Sequence, residues 1–109
     1  DLTRDDMAEA VSNAFRYSKL VLAAASYDAG VFPPMEDFLN RLSHKAFQKR
    51  AVALIENGSW APCAAKSMKA ILDTMKSLDI CEKTVSIKST MKDADVASME
   101  ALADELLAK

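Results

Sequence analysis

The fold is decided by one stretch, in which an apolar run ends in a loop and a helix start: Leu20-Val21-Leu22-Ala23-Ala24-Ala25-Ser26-Tyr27-Asp28-Ala29-Gly30-Val31-Phe32-Pro33-Pro34. A second stretch repeats this order: Ala51-Val52-Ala53-Leu54-Ile55-Glu56-Asn57-Gly58-Ser59-Trp60-Ala61-Pro62. Together they hold both glycines and all three prolines of the 109 residues. Each predicts a buried strand, a loop with an aromatic residue and then a helix. Because such loops meet at the carboxyl edge of a parallel sheet, we expect them to form one site.

The remaining elements are predicted outward from these two stretches. Buried strands are expected over 19–25 and 51–55, and a more alternating strand over 84–88. Helices are expected over 4–17 with a capping box from Thr3 to Asp6, from the Pro33-Pro34 pair to about 44–47, from near Pro62, and over 94–108 with Asp93 as cap. In the last helix the inward residues are predicted to be Val96, Met99, Leu102, Ala103 and Leu106. The order α-β-α-β-α-β-α predicts a three-layer α/β protein with an open parallel sheet.

Composition indicates a single domain over residues 1–109 and excludes several function classes. Lys and Arg number 14 against 16 Asp and Glu, so no basic surface favours nucleic acid or an anionic membrane. The apolar runs are too short to span a membrane, and the polar start resembles no secretory signal, so we expect a cytoplasmic protein. Cys63 and Cys81 are expected to be reduced thiols with packing roles, and the only histidine, His44, to be a solvated surface residue.

Two aromatic residues that directly follow buried strands are the main candidates for ligand binding. Tyr27 and Trp60 could hold a flat aromatic molecule, while Gly58 lets the backbone approach a ligand closely. Ser26, Asn57 and Ser59 carry groups that could hydrogen-bond the edge of a heterocycle. The alternative is that both rings only cover strand ends, and spacing alone leaves the two interpretations equally weighted.

The segments 26–36 and 56–62 resemble the second and third flavin-contacting loops of the flavodoxin-like domain of flavodiiron proteins, also called A-type flavoproteins. The segment Asn57-Gly58-Ser59-Trp60-Ala61-Pro62 is the most specific part, and the resemblance continues to the end of the chain. It implies an FMN cofactor and a five-stranded parallel sheet. By match of motif, Trp60 is the best stacking candidate, and the implied cofactor-binding residues are Ser26, Tyr27, Asp28, Ala29, Gly30, Asn57, Gly58, Ser59 and Trp60.

The resemblance also implies a role in electron transfer. In that family the flavin takes electrons from rubredoxin or a reductase domain. It passes them to a di-iron site in a separate metallo-β-lactamase-like domain, which reduces dioxygen or nitric oxide. The usual assembly is a head-to-tail dimer. We therefore expect an FMN-binding electron-transfer fragment of a flavodiiron-type reductase, which itself carries neither metal ligands nor catalytic residues.

The chain lacks part of the family pattern. The first strand, the phosphate loop, the first helix and the second strand have no counterpart, so a partial flavodoxin-like domain with three of five strands and four helices is expected. No glycine precedes Gly30, so no phosphate-binding turn of that type is hidden in the first 29 residues. Each missing charge-assisted hydrogen bond to the phosphate is worth about 1.5–3 kcal/mol. We therefore expect FMN binding by this chain to be weakened or lost.

The missing strands also predict an exposed sheet edge. In the flavodoxin strand order the strand over 19–25 pairs with the first strand, so its outer side is expected to be open here. An unpaired apolar edge favours pairing with another chain. We expect homodimers formed through Leu20–Ala25. The alternative function is a truncated module that does not bind FMN and acts only in structure or self-association.

Overall fold

The computed structural model describes residues 1–27, 30–45, 47–58, 63–88 and 90–109, with Tyr27 described by its backbone only. The helices are α1 (Met7–Arg16), α2 (Pro33–His44), α3 (Ala64–Leu72) and α4 (Asp93–Leu107). The strands are β1 (Lys19–Tyr27), β2 (Gly30–Val31), β3 (Ala51–Asn57) and β4 (Asp79–Ile87). All four predicted helices and all three predicted strands are confirmed. The two-residue β2 is an addition that the sequence pattern did not predict.

The sheet has the order β2-β1-β3-β4. β1, β3 and β4 are parallel, and their carboxyl ends lie level, since Ala25 pairs with Asn57 and Asn57 with Ile87. β2 runs antiparallel to the last two residues of β1. Within the described part of the chain, no strand pairs with Leu20–Ala24 on the side away from β3. The predicted open edge of β1 is therefore present in the structure.

Helices cover both faces of the sheet, which confirms the predicted three-layer arrangement. On one face α1, α2 and α3 pack over a large core that includes Leu22, Val52 and Leu54. On the other face α4 is the one described helix that packs over β3 and β4, with Leu102 and Leu106 buried there. Val21 of β1 lies on this second face and is 52% exposed, because α4 does not reach it.

Two details at the helix ends differ from the sequence-based expectation. The Thr3–Asp6 capping box is wrong: α1 begins at Met7, and the Thr3 hydroxyl donates to Asp1 Oδ1 at 2.7 Å. The predicted cap Asp93 instead lies in the first turn of α4, where its negative charge interacts favourably with the helix dipole. The cap residue is Lys92. The Lys92 amide donates to Asp95 Oδ2 at 2.9 Å, which fixes this helix start.

The inward face of α4 is also narrower than predicted. Val96 is 45% exposed and Ala103 is exposed, so both predictions were wrong. Because α4 covers two strands rather than a complete sheet face, only the stripe through Met99, Leu102 and Leu106 meets apolar partners.

β4 begins five residues before its predicted start and contains a bulge. Ile80 pairs with Val52, whereas Thr84 pairs with Leu54, so three residues of β4 oppose one of β3. The Glu105 carboxylate of α4 accepts the bulge amides of Glu82 at 2.7 Å and Lys83 at 3.1 Å. These hydrogen bonds lower the pKa of Glu105, and the one from Lys83 has the largest effect. Two effects raise the pKa of the nearby Cys81 thiol: burial, which is the larger, and the negative charge of Glu105.

Within the described ranges, no helix combines the length and apolar character that crossing a lipid bilayer requires.

Candidate functional site

The two predicted loops begin side by side at the carboxyl edge of the sheet. Ser26 and Tyr27 continue β1 directly beyond Ala25, whose partner in β3 is Asn57. The next residue, Gly58, donates its amide to Ile87 O at the end of β4, at 3.0 Å. The register of three parallel strands thus places the starts of both loops next to each other, as the sequence predicted.

The two loops are also joined by hydrogen bonds at their ends. The Cys63 amide donates to Ser26 Oγ at 2.8 Å, and the Ala64 amide donates to the same oxygen at 3.1 Å. The Cys63 thiol donates to Gly30 O at 3.6 Å, which is a weak hydrogen bond involving sulfur. Cys63, the residue after the second loop, therefore contacts both ends of the first loop.

The N-terminus of α3 is capped by side chains from two neighbouring strands. The cap residue Cys63 makes no capping hydrogen bond with its own side chain, and alanines occupy the first two helical positions. Ser26 Oγ accepts hydrogen bonds from the Cys63 and Ala64 amides, and Glu56 Oε1 accepts one from the Ala65 amide at 3.0 Å. Three of the four amides that a helix start leaves without intrahelical partners are therefore satisfied. The Glu56 carboxylate also lies favourably at the positive end of the helix dipole.

The structure brings together part of the predicted residue set. Ser26, Gly30, Asn57 and Gly58 are half-buried and lie at one sheet edge together with the backbone of Tyr27. Asp28, Ala29, Ser59 and Trp60 lie outside the described residues, so their roles stay predictions.

Sequence reasoning missed the contribution of Cys63, which it assigned to packing. The available signal was the Cys63-Ala64-Ala65 helix start: it carries no good capping side chain and so requires an acceptor from elsewhere in the fold.

The described groups at this edge are backbone groups and small side chains at the ends of β1 and β3, including Ser26, Asn57 and Gly58. The start of α3 does not fit a phosphate. Its amides that could bind an anion already donate to Ser26 and Glu56, and the Glu56 carboxylate would repel a phosphate. Among the side chains that the structure describes, no group of three or more His, Cys, Asp or Glu residues could hold a metal ion.

A separate groove of about 490 Å³ follows the open edge of β1. It lies between β1, the N-terminal segment and α2, and most of its lining is apolar, including Leu2, Leu20, Leu22, Phe32, Met35 and Phe38. This groove occupies the side of β1 that no described strand covers. The fold therefore offers two distinct places for a partner: the strand-end loops and this groove.

Comparison with known proteins identifies the fold through structure alone. No protein-family model and no curated protein sequence matches the chain. A rubredoxin oxygen:oxidoreductase from the anaerobe Desulfovibrio gigas is similar, with a TM-score of 0.78 and 14% identity over 94% of this chain and 31% of that one. An NADH:FMN oxidoreductase in its apo form is similar, with a TM-score of 0.73 and 18% identity over 99% of this chain and 62% of that one. The chain thus spans less than two thirds of either protein, and it has the flavodoxin-like α/β fold predicted from its sequence.

Proposed function

We propose that this chain is the flavin-ring-binding part of an FMN-dependent electron-transfer domain. The observation that carries the proposal is the joining of the two loop ends by Ser26 and Cys63 at the carboxyl edge of the sheet. Open α/β sheets bind ligands at this edge. The names of the two similar structures, a rubredoxin oxygen:oxidoreductase and an NADH:FMN oxidoreductase, support a flavin and redox chemistry.

In this proposal the protein positions the ring and the flavin supplies the redox chemistry. FMN, when bound, accepts and donates electrons. Tyr27 and Trp60 would hold the ring, with Trp60 as the stacking residue. The other loop residues, Ser26 to Gly30 and Asn57 to Ser59, would supply groups that hydrogen-bond the heterocycle. The carboxylate of Asp28 disfavours negative charge on the reduced ring.

The wider role belongs to a longer flavodiiron-type parent protein. There the domain relays electrons from rubredoxin or a reductase domain to a di-iron site in a metallo-β-lactamase-like domain, which reduces dioxygen or nitric oxide. The parent is a cytoplasmic flavoprotein oxidoreductase, and this chain supplies the relay rather than a catalytic residue. Because the phosphate loop has no counterpart here, the chain alone binds FMN more weakly than a complete domain.

A titration of FMN with the chain tests ring binding. The expected result is a shifted flavin absorption spectrum and quenched flavin fluorescence that saturate with protein, both lost in Trp60→Ala. Tyr17→Ala is the matched aromatic control, because Tyr17 is 57% exposed and lies after α1, at the opposite edge of the sheet. An unchanged flavin spectrum at micromolar concentrations contradicts the proposal.

A second candidate function, self-association without FMN, is favoured by the open edge of β1. A second copy could pair antiparallel with this edge about a two-fold axis at Leu22. The two residues of each pair, one from each copy, then lie on the same face of the sheet. The central pairs are uncharged: Leu22 with itself, Val21 with Ala23, and Leu20 with Ala24. These pairs bury no charge, and Lys19 pairs with Ala25 only at the end of the ladder.

Light scattering tests this second candidate directly. A dimer is expected for the wild-type chain and a monomer for Val21→Lys, because a charge on the pairing strand opposes edge-to-edge association. Val96→Lys is the matched control, since Val96 is similarly exposed but lies on α4. A monomeric wild-type chain contradicts self-association through Leu20–Ala25.

A further inference from the structure

Ser26 lies at the end of β1 and links the two strand-end loops through hydrogen bonds. It is the last residue but one of β1, and its backbone pairs with Val31 of β2. The sheet therefore fixes the location of its hydroxyl. That hydroxyl accepts two amides, from Cys63 at 2.8 Å and from Ala64 at 3.1 Å. One side chain next to Tyr27 thus contacts both the residue after the second loop and the first residue of α3.

The second loop is held at both of its ends by neighbouring strands. At its start, the Gly58 amide donates to Ile87 O. At its end, Cys63 contacts Ser26 through its amide and Gly30 through its thiol. The start is thus set by backbone pairing with β4. The end is held by the Ser26 hydroxyl and the weaker thiol contact, together with the hydrogen bond from the Ala65 amide to Glu56 Oε1.

We infer that Ser26 is a positioning residue: through the start of α3, its hydroxyl sets the spacing between the loop that carries Tyr27 and the loop that carries Trp60. This inference rests on the proposed ring-binding function. Ser26 acts by holding Cys63, the residue after the second loop, against the end of β1 before a ligand arrives. Preorganisation of this kind raises affinity because less ordering is needed on binding.

Three variants separate this role from a general effect on α3. Ser26→Ala removes the acceptor, whereas Ser26→Thr keeps an oxygen at the same position. Thr74→Val is the matched control, because the Thr74 hydroxyl donates to Ile71 O at 2.6 Å near the other end of α3. All three variants change only a hydroxyl-bearing residue, and far-ultraviolet circular dichroism reports whether each remains folded.

Fluorescence and FMN titration provide two independent readouts. Trp60 is the only tryptophan, so its emission and acrylamide quenching report on the second loop without any ligand. Ser26→Ala is expected to change both signals and to weaken FMN binding by about tenfold or more. Ser26→Thr is expected to restore the wild-type emission and to bind FMN within about threefold of wild type. Thr74→Val is expected to leave both readouts unchanged.

The outcomes distinguish this inference from the proposed function. If the wild-type chain binds no FMN, the proposed function fails, while the Trp60 emission of Ser26→Ala still tests the positioning role. The inference is overturned if Ser26→Ala leaves Trp60 emission and quenching unchanged, or if Thr74→Val changes them equally. If Ser26→Ala does not fold, hydrogen exchange of the wild-type chain decides. The Cys63 and Ala64 amides are expected to be protected, and exchange at the unprotected rate overturns the inference.

Discussion

Arg50 connects α1 to the amino end of β3, and its replacement by methionine is expected to weaken that junction. Its guanidinium donates to Phe15 O at 2.9 Å and to Gln48 O at 2.6 Å. It also lies 5.3 Å from the centre of the Phe47 ring and 5.9 Å from that of Phe15. The two rings pack edge to face, with centroids 5.3 Å apart. One side chain therefore joins the end of α1, the segment before β3 and an aromatic pair of which Phe47 is buried.

The expected loss follows from opposing contributions of similar size. Each hydrogen bond from a charged donor is worth about 1.5–3 kcal/mol, and the contacts with the rings add about 1 kcal/mol. Against them stand about 2 kcal/mol of lost rotamer freedom and about 1–3 kcal/mol for Arg50 Nε, which is buried with no hydrogen-bond partner in the described structure. Methionine keeps much of the packing, so Arg50→Met should lower the free energy of unfolding by about 2 kcal/mol.

Urea unfolding followed by circular dichroism measures this change, and thermal unfolding should show a loss of roughly 10 °C. Arg50→Lys is expected to lose about half as much stability, because an ammonium group cannot donate in a planar fork. Arg4→Met is the control, since Arg4 is exposed and its guanidinium lies 3.8 Å from the Asp1 carboxylate in a surface ion pair, which contributes little. An Arg50→Met variant within about 0.5 kcal/mol of wild type would refute the reasoning.

Three further predictions follow from described contacts. Glu105→Gln should destabilise the protein at neutral pH. Because folding lowers the pKa of Glu105, its contribution is complete above the ordinary value of 4.5 and shrinks as pH falls through the folded value; a pH-independent difference in urea unfolding would argue against this. Glu56→Ala should cost about 1 kcal/mol of unfolding free energy through loss of the α3 cap, with Glu56→Gln retaining most of it; equal losses in both would count against capping. Cys81 is 4% exposed and its thiol pKa is raised, so a thiol reagent should modify it only after unfolding; rapid reaction in the native protein would contradict its burial.

The sequence predicted those elements whose own residues carry the pattern, such as a continuous apolar run or a proline at a helix start. β1 and β3 are continuous apolar runs, and Pro33 begins α2, so each was predicted within two residues at its start. The first half of β4 was missed because Asp79, Glu82 and Lys83 break the alternation. The Glu82 and Lys83 amides at the bulge donate to Glu105, which lies more than 20 residues away in the sequence. Such a contact leaves no periodic signal in the strand itself.

The candidate site shows the same division. Glycine, proline and strand ends predicted where both loops begin, and parallel pairing of β1 with β3 places them together. The hydrogen bonds from the Cys63 and Ala64 amides to Ser26 were not predicted, because they join residues 37 and 38 positions apart. The weak cap at Cys63 indicates that an acceptor is needed but does not say which side chain supplies it.

Backbone amide NMR of the chain, recorded during addition of FMN, tests the central claim most directly. Binding at the strand-end loops predicts the largest shifts at Ser26, Gly30, Asn57, Gly58 and Cys63, with little change along the outer edge of β1. Shifts confined to Leu20–Ala24 and the groove residues Met35 and Phe38, or no shifts at all, would contradict the assignment of this sheet edge as the flavin-ring site.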